Sequence, residues 1–155
     1  MALIKLNNQS LSAVTSAGLP SGTVLQVQQG TTSTHYTISA LDTYEDIGLS
    51  VNITPISSSN KILLMLTGGS VFYNTAHTKA RILRDSTTVV TTSTFFSGAD
   101  WQGWNMATTY MDSPATTSQI TYKVQGFQDN SAVNNHANFV YNSDSVYLIA
   151  MEIAG

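Results

Sequence analysis

"GLSVNITPISSSNKILLMLTGG", residues 48–69, sets the terms on which the rest of the chain is read. Counting from Ile47, apolar residues fall at every second position through Leu49, Val51 and Ile53, with Gly48, Ser50, Asn52 and Thr54 between them. A period of two marks a strand with one face in a core. Pro55 has no N–H to give to a ladder and biases Thr54 to extended backbone, so the strand is expected to end there. Residues 57–60 then make a loop. Residues 62–66 are apolar without a break and read as a strand covered on both faces. Gly68 and Gly69 predict a bend.

Outward from this stretch the same period recurs. "TVLQVQQ" (23–29), "HYTISA" (35–40), "SVFYN" (70–74), "TKARILR" (78–84), "TTVVTTSTFF" (87–96) and "WNMATTYM" (104–111) all read as strands. So do "SQITYKVQGF" (118–127), "ANFVY" (137–141) and "SVYLIAMEI" (145–153). The cleanest sets Ile120, Tyr122 and Val124 against Thr121, Lys123 and Gln125. The last is apolar on both faces from Val146 to Met151, which predicts a central, covered strand. Roughly ten short strands with turn signals between them and no helical period predict an all-β fold, an antiparallel β-sandwich or jelly roll. Residues 1–22 stand apart. They carry Leu3, Ile4, Leu6, Leu11 and Val14 with no sustained period and end in the turn-rich "AGLPSG". The expected organisation is an extended N-terminal arm over 1–22, docking those apolar residues on something larger, ahead of a β-sandwich domain over 23–155.

Composition narrows the function. Forty of the 155 residues are Ser or Thr, 42% are apolar and only 10% are charged, with a net charge of −3. Ordinary domains carry about 25% charge. Thr supplies strand propensity on solvent faces without adding charge. So little charge invites self-association, and some neutral or apolar surface is expected to be covered by other subunits. Six basic residues give no stripe for nucleic acid; Lys79, Arg81 and Arg84 read as a solvated strand face. No apolar run approaches the ~20 residues of a membrane span, and Asn7, Asn8, Gln9 and Ser10 interrupt the N-terminus before it could serve as a signal peptide. Without cysteine there is no disulfide, thiolate ligand or thiol catalysis.

Enzyme motifs are missing: no phosphate loop, dinucleotide fingerprint or nucleophile elbow is present. His35, His77 and His136 lie far apart, none with a partner at metal spacing. Asp42, Glu45 and Asp46 are the one acidic cluster; they read as turn and edge residues before they read as a metal or catalytic set. The expectation is no enzyme, no metal and no cofactor. "GADWQGWNM" (98–106) has the flavour of recognition. Trp101 and Trp104, bracketed by Gln102 and Asn105, suit a sugar ring or a protein partner, while Trp104 also opens an alternating strand and suits the core. All three readings stay open.

"LNNQSLSAVTSAGLPSGTVLQV" (6–27) resembles the opening of small tail-fibre-like structural proteins of marine tailed bacteriophages. "DIGLSVNITPISSSNKILLML" (46–66), "ARILRDSTTV" (80–89), "MDSPATTSQITYKVQ" (111–125) and "VYLIAMEIAG" (146–155) resemble segments of that family in the same order. The resemblance covers nearly the whole chain. It implies a virion component made in the host cytoplasm, a homotrimeric β module whose partners are itself and major capsid, neck or tail proteins. It carries no catalytic residues. A short tail or head fibre, a capsid decoration (cement) protein and, from another class, a host-surface carbohydrate-binding module are the readings it leaves.

Overall fold

The computed structural model describes residues 19–73, 77–92, 95–96, 102–129 and 137–155. Among these residues lie eleven strands: β1 (Val24–Thr32), β2 (Tyr36–Ile38), β3 (Thr43–Ile53), β4 (Lys61–Tyr73), β5 (His77–Arg84) and β6 (Thr87–Thr91), then β7 (Phe95–Phe96), β8 (Gln102–Asp112), β9 (Ile120–Gln128), β10 (Ala137–Phe139) and β11 (Val146–Ile153). One 3₁₀ turn sits at Tyr141–Ser143, and the described residues contain no α-helix. Every pairing is antiparallel. The fold is the all-β antiparallel sandwich that the period of two predicts.

A large six-stranded sheet is built on β4. One edge of β4 carries β11 over Lys61 to Gly68, with β1 beyond, and then β10 at Val71 and Phe72, with β2 beyond. The other edge carries β8 along its length, from Ile62 opposite Asp112 to Tyr73 opposite Gln102. The small sheet runs β3–β9–β5–β6, with β7 also on β5. The bend expected at Gly68 and Gly69 is a bulge inside a single continuous strand. Both glycines have positive φ there, 85° and 61°, which a side chain would resist.

The core lies between the sheets. Ile62, Leu64, Leu66, Leu148 and Ala150 of the large sheet face Ile47, Leu49, Val51, Ile53, Ile82, Ile120 and Val124 of the small one. Only one set of each alternating strand goes inward, so residues 62–66 are not covered on both faces as expected. Leu63 and Met65 point out of the sandwich and are half-buried by their neighbours alone, and the same holds for Ile149 and Met151 of β11. β11 is central in strand order, as expected, yet one of its faces is open.

Arg84 also departs from expectation. It points inward, where its Nη1 donates to both carboxylate oxygens of Asp112 at 2.8 Å. Asp112 of the large sheet accepts a further bond from the Tyr122 hydroxyl at 2.6 Å, so one buried carboxylate clamps the two sheets. Burial and that carboxylate push the Tyr122 hydroxyl well above the usual phenol range.

The sheets approach closely where β1 crosses β3. A methyl group placed on Gly30 would sit 1.9 Å from the Ser50 carbonyl oxygen, a backbone atom with no freedom to retreat. Gly30→Ala should therefore cost about 2 kcal/mol or more by forcing the sheets apart. Thermal unfolding should show a melting temperature lower by about 4–8 °C for a domain of this size; an unchanged value would contradict the close packing of β1 on β3.

Candidate interaction surface

The alternation of β8 decides the fate of the residues that suggested recognition. Trp104 turns inward opposite Val71, packs against the core and donates its indole N–H to the Thr78 hydroxyl of β5 at 3.0 Å. Of the three readings open for it, packing against the core is the one these contacts favour, with the residue half-buried. Asn105, one position on, points outward and is exposed opposite Ser70. Gln102 opens β8 beside Tyr73. Trp101 lies outside the described residues, as do Leu3, Ile4, Leu6, Leu11 and Val14.

The acidic cluster and the described histidines are engaged in structure. Asp42 occupies a turn with positive φ. Glu45 accepts bonds from the Tyr36 hydroxyl at 2.9 Å and from the Ala40 N–H at 3.1 Å. Asp46 pairs instead with Lys123 at 2.9 Å and Gln125 at 2.6 Å on the outer face of the small sheet. Burial pushes the Asp46 carboxyl up, but those hydrogen bonds and the nearby cations outweigh it and hold it below the usual range. The cluster is thus split, as turn and edge residues would be. His35 bonds the Asn138 side-chain amide oxygen and His77 bonds Asp129. Among the described residues no three His, Asp or Glu side chains converge where a metal ion could sit. Two surface depressions, of about 230 and 220 Å³, fall short of the roughly 300–1,000 Å³ of small-molecule pockets.

The outer faces of the two sheets differ in kind. That of the small sheet gathers charge: besides Asp46 and Lys123, Arg81 stacks over Tyr44 at 3.8 Å and Lys79 over Phe127 at 4.3 Å. That of the large sheet has none across three successive rows. Val27, Met151, Leu63 and Met111 stand side by side on β1, β11, β4 and β8. The next row is Gln29, Ile149, Met65 and Thr109, and the third Thr31, Tyr147, Thr67 and Ala107. Val27 is 53% exposed and Met111 43%. At about 4.8 Å between strands and 3.4 Å per residue, the three rows from Leu63 to Thr67 cover about 19 by 14 Å, roughly 270 Å², with exposed Lys61 bordering them on the same face. A patch of that size is no larger than the apolar patches that single domains commonly expose, and such patches are often functional. The sequence held the signal in the unbroken apolar runs of β4 and β11, which looked like cover on both faces.

Glu152, which no motif singled out, is fully buried at the end of this sheet. Its carboxylate accepts bonds from the Gln26 and Asn60 side-chain amides, both at 2.6 Å, and from the Ile56 N–H at 2.7 Å. It ties β1, β11 and the 54–60 loop together without a cation.

No protein-family model matches the chain, and no curated protein does. Solved structures that it is similar to include infectious bursal disease virus, Gx strain, at 16% identity and a TM-score of 0.49. That match covers all of this chain and 37% of the viral one. The VP2 subviral particle of the same virus gives 17% identity and a TM-score of 0.44, again over all of this chain and 37% of the other. A CBM4 structure gives 14% identity and a TM-score of 0.26, covering 81% of this chain and 92% of that one. The chain spans little more than a third of the viral chains, and likenesses at these scores decide nothing about its function.

Every partner of Glu152 is a donor, so an acceptor-only group is required there. Burial pushes its carboxyl up, but the bonds from Asn60, Gln26 and the Ile56 and Ser57 backbone outweigh that and hold it below the ordinary value of 4.5. A depressed carboxyl contributes stability above its unfolded value and loses it as pH falls through the folded one. Stability should therefore fall below about pH 4.5, an onset set by the unfolded carboxyl. Glu152→Gln should be less stable at pH 7 by about 1–3 kcal/mol, since its amide would face other donors, and should show a flatter acid limb in denaturant titrations. An unchanged acid limb would contradict this role.

Proposed function

We propose that the chain is a non-enzymatic structural module of a virus particle. In this reading it is a homotrimeric exterior β domain attached to other virion proteins through its N-terminal arm. The observation that carries the reading is the largely apolar outer face of the large sheet on a domain whose acidic cluster and described histidines are engaged in structure. Such a domain presents a surface for assembly where an enzyme would present a cleft. The resemblance of the sequence to phage tail-fibre-like proteins supports the same reading from independent residues. A glycan contact through Trp104 loses support because that side chain packs against the core.

The arm joins the domain at residues with defined bonds. Gly22 N–H donates to the Ala154 carbonyl at 2.9 Å, and Ala154 N–H returns a bond to Thr23 at 2.9 Å. Gly22 therefore belongs to the folded unit, and a deletion that spares the domain stops at residue 18. That truncation should keep its circular dichroism and melting temperature and fail to join particles when added to virions lacking the protein. Attachment equal to that of the full chain would refute the arm's role. Counting copies in purified particles by quantitative mass spectrometry then separates the candidates: hundreds assign a head decoration protein, a handful a fibre, and none overturns the virion reading.

A further inference from the structure

We infer that the outer face of the large sheet beyond the Gly68–Gly69 bulge binds a neutral sugar, a site that goes beyond the structural module proposed above. Two rows of side chains meet there. Gly103, Phe72, Asn138 and Thr37 stand side by side on β8, β4, β10 and β2, and Asn105 and Ser70 form the next row on β8 and β4. The Phe72 ring lies against Gly103, where an added methyl group would sit 2.8 Å from a ring carbon. The Tyr141 ring packs on Phe72 at 4.7 Å, tilted by 33°, and meets the His35 ring nearly at a right angle, 5.6 Å away.

The backbone on both sides of Tyr141 is held in an unfavourable conformation. Val140, Asn142 and Ser143 have positive φ, 56°, 57° and 59°, three of the six such non-glycine residues in the described chain. A β-branched residue such as Val140 rarely adopts it. Strain of this kind collects at ligand sites, where the surrounding structure holds it in place. Here it flanks an aromatic ring bordered by polar groups with bonding capacity left over. The His35 Nε2–H and the Thr37 hydroxyl both donate to Asn138 Oδ1, at 3.0 and 2.9 Å. That leaves Asn138 Nδ2 to donate and, in the neutral ring, His35 Nδ1 to accept. Asp144 accepts from Ser70 through Oδ2, and Asn105 is exposed.

These groups select the ligand. An apolar side chain of a peptide would cover the rings and strand the amides without partners. An anionic polymer would meet Asp144, with no lysine or arginine in either row. A sugar ring offers C–H groups to Phe72 and Tyr141, and hydroxyls that both donate and accept to Asn138, His35, Asn105 and Asp144. Asn105 comes from the 98–106 stretch; the other polar groups arrive from β10, the residue before β2 and the end of the 3₁₀ turn. The site is an open face, so binding should be weak.

The test is a nuclear magnetic resonance titration of the isotope-labelled full chain with glucose, galactose, mannose and N-acetylglucosamine. At least one sugar should shift the amide signals of Phe72, Asn105, Asn138 and Tyr141 and leave those of Lys79 and Lys123 on the small sheet in place. Asn105→Ala, at an exposed position, should keep the fold and weaken that binding about five-fold, the equivalent of one neutral hydrogen bond. Tyr141→Ala should remove it. N-acetyltryptophanamide is the peptide-like probe: shifts at these residues with it and with no sugar overturn the inference in favour of an apolar partner. Shifts with none of the probes overturn it, and so does a sugar affinity unchanged in Asn105→Ala. The isolated chain is titrated, so the result is independent of whether virus particles contain it.

Discussion

The molecule depends on β4. Its thirteen residues are hydrogen-bonded along both edges, to β11 and β10 on one side and β8 on the other, so the other five strands of the large sheet are placed by reference to it. A pleated strand sends successive side chains to opposite faces. Because residues 62–66 are apolar at every position, β4 cannot hide one set without exposing the other. Ile62, Leu64 and Leu66 close the core, while Leu63 and Met65 stand on the outside among Met151, Ile149 and Met111. Folding and surface are thus fixed by one constraint, the period of two acting on an unbroken apolar run.

Charge is distributed to match. The described carboxylates either join the sheets or sit away from the apolar face: Asp112 clamps Arg84 and Tyr122 across the sandwich, Glu152 ties the ends of β1 and β11 to a loop, and Asp46 lies on the small sheet. A side chain that reads as a generic acid in the sequence is, in two of these cases, a buried crosslink whose removal leaves donors unpaired. With these groups drawn inward or to one side, the opposite side is left to threonine, glutamine and aliphatic residues, with Lys61 at its end.

Much of the fold was legible because alternation and turn residues act locally. Pro55 does end the register of β3 at Ile53, and Ile120, Tyr122 and Val124 do face inward. What was not legible depends on which sheet a strand joins. Residues 62–66 and 146–151 have the composition of covered strands, and nothing local says that one face would be left open. Trp104 could be assigned neither to surface nor to core until its partner Thr78, 26 positions away, was in place. Arg84 looks like a solvated residue because its pairing with Asp112 crosses from one sheet to the other. Glu152 shows the same limit: its partners come from positions 26, 56 and 60.

The central claim is that β4's inner residues fold the chain and, in the function proposed for it, its outer residues take part in assembly. The chain contains no cysteine, so a single nitroxide can be placed without other changes. Inter-label distances in the associated protein, measured by pulsed electron resonance, compare Thr109→Cys on the outer face of the large sheet with Ser50→Cys on that of the small one. Two packed sheets are about 10 Å apart, so the account predicts a clearly shorter distance between copies from Thr109. A shorter distance from Ser50 would place the contact on the other side of the sandwich and contradict it.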